Sequence, residues 1–258
     1  KYISNVEMVA NIKESTIHTD DITFFAPAMS IFKTKALLSG NYKGTVENFT
    51  VNQLQLKTGG NSVLTGTFSM KGLPAIETTQ ITLEKGFAQS NYKDLAQFIP
   101  AIQNIKNPNF ASLGTILYRG DFKGTTFDFV TKGVFSSALG GINTDINLKL
   151  PKKGEASYKG NLETLAFNLG KFTNNADLGA IDFKGSIEGS SFNLEKLKTS
   201  ISGDIRAIEY KNYNYKSIVT NGTFQKKYFS GDIIINDPNL NFTSSVEINF
   251  NQNIPAFN

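Results

Sequence analysis

His18, Asp20 and Asp21 form the one stretch of this 258-residue chain where acid–base or metal chemistry could be assembled. The chain does not complete either site. A structural zinc site needs four ligands, drawn mostly from Cys and His, and there is no Cys and no second His. An activated nucleophile needs a base and a group that orients the base, which a single His cannot supply. His18 and its two acids therefore read as a solvated, Thr-flanked turn. Asp145, Asp182, Asp204 and Asp232 alternate with apolar residues and are expected to face water. Asp237-Pro238-Asn239 lacks the regular oxygen spacing of a calcium loop and reads as a turn. Three N-x-Ser/Thr sequons, at Asn48, Asn221 and Asn241, carry no weight in a Lys-rich, Arg-poor chain. No enzyme activity, cofactor or metal is expected.

Charge narrows the field further. The net charge of +4 comes almost wholly from Lys, since Arg119 and Arg206 are the only arginines. Nucleic-acid readers rely on Arg for bidentate contacts, so that class is disfavoured. The absence of Cys leaves the compartment open. No apolar run approaches the roughly 18 residues of a membrane-spanning helix. The chain starts at Lys1 without a signal peptide and stops at Asn258 without a polar tail, so it reads as an internal piece of a longer polypeptide.

Strands with a period-two alternation account for most of the sequence. The clearest is the second arm of a hairpin spanning Phe229 to Phe250. Leu240, Phe242, Val246, Ile248 and Phe250 share one face, broken only by Ser244, and Asn241, Thr243, Ser245, Glu247 and Asn249 share the other. Two or three short strands are expected in the first thirty residues, then a long strand through Phe32–Tyr42 with a turn at 41–44. Val46–Leu56, bent near Val51, Val63–Met70 and Glu77–Leu83 follow. Ser90–Ile99 reads as a short helix, with Ser90 or Asn91 as N-cap, Asp94 in the first turn, and Pro100 after it. Strands resume at Ala111 and run to the end, interrupted by a turn or single helical turn at 174–179. The domain expectation is a first block at 1–99, a connector at 100–110 and a second block at 111–258.

Seven of these strands carry the pattern apolar-x-Gly-x-apolar, centred on Gly40, Gly66, Gly120, Gly160, Gly185, Gly203 and Gly231. Glycine weakens a strand interior, so its repetition asks for a cause, and bends or close backbone approach are the usual ones. Glycines on one face let a sheet curl toward that face. The flanking apolar residues would then line the inside of the curl: Leu38, Tyr42, Leu64, Phe68, Tyr118, Phe122, Tyr158, Phe183, Ile187, Ile205, Phe229 and Ile233, with Leu240, Phe242, Val246, Ile248 and Phe250 from the last strand. The expected fold is all-β: a long, strongly curved, mainly antiparallel sheet with one short helix. At about 4.8 Å per strand, roughly sixteen strands give a sheet about 75 Å long.

The stretches at 161–170, 176–185 and 208–215, and above all Phe229-Ser-Gly-Asp-Ile-Ile-Ile-Asn-Asp-Pro-Asn239, resemble the C-terminal region of TamB-family proteins in their Bacteroidota-like form. The helix before Pro100 resembles the element such proteins place between strand blocks. The resemblance covers the last 150 residues or so; the first thirty carry none of it. It implies the β-taco or repeating β-groove fold of bridge-like lipid transfer proteins, with phospholipid acyl chains in the groove. It also implies residence in the periplasm of a Gram-negative bacterium, an inner-membrane tether outside this segment, and a BamA-like outer-membrane barrel of the TamA/TamL type as partner. Such a chain would carry phospholipid between the membranes and support outer-membrane protein assembly and secretion. Two other readings remain open: a closed β-sandwich, an adhesin-like binding module of the cell envelope, and an outer-membrane barrel. The helix and the lack of paired aromatic girdles weigh against the barrel.

Overall fold

The alternating runs form sixteen strands of one antiparallel sheet. The computed structural model describes residues 2–18, 35–98, 102–103, 105–249 and 256–257. The first strands are β1 (Met8–His18), β2 (Lys35–Gly44), β3 (Asn48–Thr58), β4 (Ser62–Lys71) and β5 (Gln80–Asn91). The middle of the sheet holds β6 (Thr115–Gly124), β7 (Asp128–Ser137), β8 (Gly140–Lys149), β9 (Ser157–Leu165), β10 (Phe167–Asn168) and β11 (Leu178–Ser190). It finishes with β12 (Lys198–Tyr210), β13 (Tyr213–Gln225), β14 (Tyr228–Asp237), β15 (Leu240–Asn249) and β16 (Ala256–Phe257). Every strand pairs with its neighbour in sequence, except that β10 lies off the path and continues β9 along β11. The sheet is open: β1 and β16 are its two edges and do not pair with each other. Fifteen strands in path order span roughly 67 Å at about 4.8 Å per step.

Because every connection reverses the chain, the loops fall on two rims. One rim carries the β3–β4, β5–β6, β7–β8, β10–β11, β12–β13 and β14–β15 connections; the other carries β2–β3, β4–β5, β6–β7, β8–β9, β11–β12 and β13–β14. Helices are few and short: α1 (Tyr2–Asn5), α2 (Tyr92–Phe98), α3 (Leu169–Thr173) and a 3₁₀ turn at Phe110–Leu113. Asn91 caps α2 by accepting from the backbone N–H of Asp94 at 2.9 Å, and the Asp94 carboxylate accepts from Ser62 Oγ at 2.7 Å. That ties α2 to the β4 end of the sheet.

Several expected boundaries move. Residues 2–18 form α1 and the long β1, and the rest of the first thirty residues, where further short strands are expected, lies outside the described residues; the turn expected at 41–44 falls at 45–47. Strand β5 runs eight residues past Leu83 because Glu84-Lys85-Gly86 forms a bulge within it. Lys85 there adopts φ +49°, and its N–H donates to Asp121 Oδ1 across the strand pair at 2.8 Å. The same device recurs at the break between β9 and β10. Ala166 has φ +47° and donates to Asp182 at 2.6 Å, so Asp182 holds a bulge rather than simply facing water. Helix α3 precedes the position expected for a helical turn, and among the described residues the single expected helix is joined by two others. The sheet is continuous past the connector, since β5 and β6 pair directly from Ile81↔Gly124 to Asn91↔Thr115.

The bend lies along the glycines. An added Cβ on Gly120 would sit 2.5 Å from the Cα of its cross-strand partner Gly133, closer still to the Lys132 carbonyl, and 2.8 Å from Tyr118 Oη. In a flat sheet that direction is open space above the pleat. Here the neighbouring strand has curled into it, which only a residue without a side chain allows. Gly66, Gly86, Gly120 and Gly133 continue this line across β4 to β7, and Gly185 pairs with Gly203 and Gly222 with Gly231 farther along.

Candidate functional site

Cross-strand register fixes which side chains share the inside of the curl. One ladder runs Tyr42, Val51, Phe68, Leu83, Phe122, Thr131, Ile146, Gly160, Ile187, Ile201, Gly222, Gly231, Val246, each opposite the next. Stepping two residues at a time from it along the regular parts of each strand reaches Leu38, Leu64, Tyr118, Tyr158, Phe183, Ile205, Phe229, Ile233, Leu240, Phe242 and Ile248. All the expected lining residues among those described therefore lie on one face, together with all seven expected glycines. Phe250 lies outside the described residues. Sequence reasoning missed Val51, Leu54, Leu83, Ile146, Phe135 and Ile218 as lining residues, because none flanks a glycine in the apolar-x-Gly-x-apolar pattern.

The floor of this trough is covered by its own rings. Tyr118 lies across Gly120 and Gly133 with its hydroxyl donating to the Asp121 carbonyl at 2.6 Å and accepting from Thr131 Oγ1 at 2.9 Å. Its ring packs on Phe135 with centroids 4.6 Å apart, as Phe122 does on Phe129. Phe183 and Phe229 reach over Gly185 and Gly222 in the same way. Tyr158 hydrogen-bonds Thr199 and stacks on Phe192 from the β11–β12 loop, and burial pushes its hydroxyl pKa up. A second ring cluster, Tyr92, Phe110, Phe172 and Phe167, joins α2, the 3₁₀ turn, α3 and β10 at the opposite rim.

Burial falls off toward one end of β15: Val246 and Ile248 are buried, but the residues nearer the β14–β15 turn are open. Leu83, Tyr118, Ile146 and Phe183 in the middle strands are buried, whereas Leu240 and Phe242 at the β15 end are each 38% exposed. The convex face is polar and carries cross-strand ion pairs, including Lys132–Asp145 at 3.0 Å, Lys159–Glu188 at 2.8 Å and Arg206–Glu163 at 2.9 Å. These exposed pairs contribute little stability each. A shallow depression of about 360 Å³ on that face is lined by small polar side chains such as Ser186 and Ser202, with no aromatic platform. In the paired ladders from β2 to β15, the one ionisable carboxylate on the apolar face is Asp237, at the rim.

Asp237 is buried and fully engaged. It accepts from Tyr213 Oη at 2.6 Å and from the backbone N–H groups of Lys216 and Asn239 at 3.0 and 2.9 Å. The tyrosine hydroxyl, then the Asn239 N–H, stabilise the charged form and lower its pKa. A carboxyl lowered in the folded state stabilises the fold above its unfolded pKa, about 3.9, and loses that contribution as pH falls through the folded value. Thermal melts of the native chain should therefore weaken in this acid range, and Asp237→Asn should show a smaller drop there.

His18 ends β1, and Asp20 and Asp21 lie outside the described residues. Among the described residues no three His, Asp or Glu side chains gather as a metal-ligand set. Comparison with protein families, with curated proteins and with solved structures finds no match.

Proposed function

We propose that this chain is a segment of a TamB-like, periplasm-spanning protein whose apolar trough carries phospholipid between the inner and outer membranes. The observation that supports this reading is a largely apolar face, thirteen strands from β2 to β15 interrupted by a few Ser and Thr but by no unpaired charge, on the side toward which the sheet curls. Burial of an acyl chain stabilises it by about 0.8 kcal/mol per CH₂, so a sixteen-carbon tail gains on the order of 12 kcal/mol over water. These contacts are non-directional, which lets a tail slide along the face while its headgroup stays in solvent beyond the rims. In this reading the chain is tethered to the inner membrane, meets a BamA-like barrel of the TamA/TamL type in the outer membrane, and supports outer-membrane protein assembly there. It needs no catalytic residue and no cofactor. The single open sheet is not the closed sandwich that the adhesin-like reading requires.

The test is photocapture in cells. A photoreactive side chain at position 242, on the open part of the trough, should capture phospholipid; capture of protein alone would contradict the reading.

A further inference from the structure

Residues 105–110, ahead of β6, contact loops of both rims. Asn109 donates its N–H to the Phe172 carbonyl at 2.6 Å, on the rim of α3 and β11's start. Two residues earlier the Asn107 carbonyl accepts from the N–H of Leu194 at 3.4 Å, in the loop after β11's end. Two such groups on one short segment place Phe172 and Leu194 no more than about 12 Å apart. A straight β11 of thirteen residues would hold its own ends about 40 Å apart. The two loops therefore lean inward over the apolar face, Phe172 onto Phe167 and Phe192 onto Tyr158.

We propose that residues 105–110 form a strap that roofs the trough over β9 to β12 and gates movement along it. The inference rests on the lipid-carrying reading and adds its control point. Of the buried lining residues Phe183, on β11, lies beneath this crossing, and the exposed Leu240 and Phe242 on β15 lie beyond it. A tail entering at β15 meets the strap before it can reach β6. The seat is polar and imperfect: Pro108 is buried, but Asn107 Oδ1 is shut away from solvent without a hydrogen-bond partner. A desolvated, unpaired acceptor favours release of the segment that carries it. Among the described residues its backbone hydrogen bond to the far rim is the long one from Leu194, and no strand pairing passes through the strap, so it can lift without unpairing any strand.

This segment has no Cys, so Asn107→Cys with Leu194→Cys introduces one lockable pair. In the full polypeptide, movement of a fluorescent phospholipid between vesicles of phosphatidylethanolamine and phosphatidylglycerol should be lost on oxidation and return with reductant. Photocapture of lipid at position 242 should persist in both states. Equal transfer by the oxidised and reduced forms, or a pair that fails to oxidise, overturns the gate and leaves the lipid reading standing. Absence of lipid at position 242 in the reduced form overturns that reading, and the gate with it.

Discussion

Phe242→Asp should abolish lipid passage while leaving the chain folded. Phe242 is 38% exposed on the apolar face, so its removal opens no large cavity in the sheet. A carboxylate there meets every acyl chain that crosses β15, and covering it without a partner costs at least about 3 kcal/mol, roughly a hundredfold in occupancy of that position. Asn241→Asp is the matched control. Asn241 is exposed on the convex face opposite Asn236, so the same charge one residue away should change transport and stability by no more than about 0.5 kcal/mol. Phe183→Asp is the harsher variant, because Phe183 is buried over Gly185 and its loss should unfold the middle strands as well. Comparing lipid transfer by the three variants separates a blocked path from a broken sheet. Equal transfer by Phe242→Asp and the native chain would sink the idea of a groove.

The second large effect concerns the bend. Gly120→Val should destabilise by about 3 kcal/mol, or about 6–12 °C in thermal midpoint, since its side chain has to enter space held by the backbone of β7 and by Tyr118. The neighbouring strand cannot yield without flattening the curl. Gly60→Ala in the β3–β4 turn meets nothing within 4 Å and should be close to silent. A Gly120→Val chain as stable as the native one would mean that the glycine line does not set the curvature.

Much of this architecture was legible in local sequence. Alternation such as Leu240 to Ile248 names strand and face together, because a period of two leaves no other way to bury one side. The repeated glycines pointed to a face that curls, and all seven lie on it. Where reading failed, the cause was non-local. Glu84-Lys85-Gly86 has the composition of a turn, and only the Asp121 carboxylate on the next strand makes it a bulge within β5. Gly86, Gly133 and Gly222 extend the glycine line but follow Glu84, Thr131 and Thr220, so the apolar flanking pattern passed over them. Asp237 read as part of a turn, and Tyr213, twenty-four residues earlier, makes it a buried anchor at its edge. The connector at 100–110 read as a boundary between blocks. Its contacts with Phe172 and Leu194 join residues more than sixty positions apart, which no local pattern encodes.

The most direct test of the central claim compares two photoreactive side chains placed in living cells, one at position 242 and one at position 241. If the apolar face carries lipid, illumination should attach phospholipid to the chain at position 242 and not at 241. Phospholipid captured equally at both, or at neither, would contradict the account.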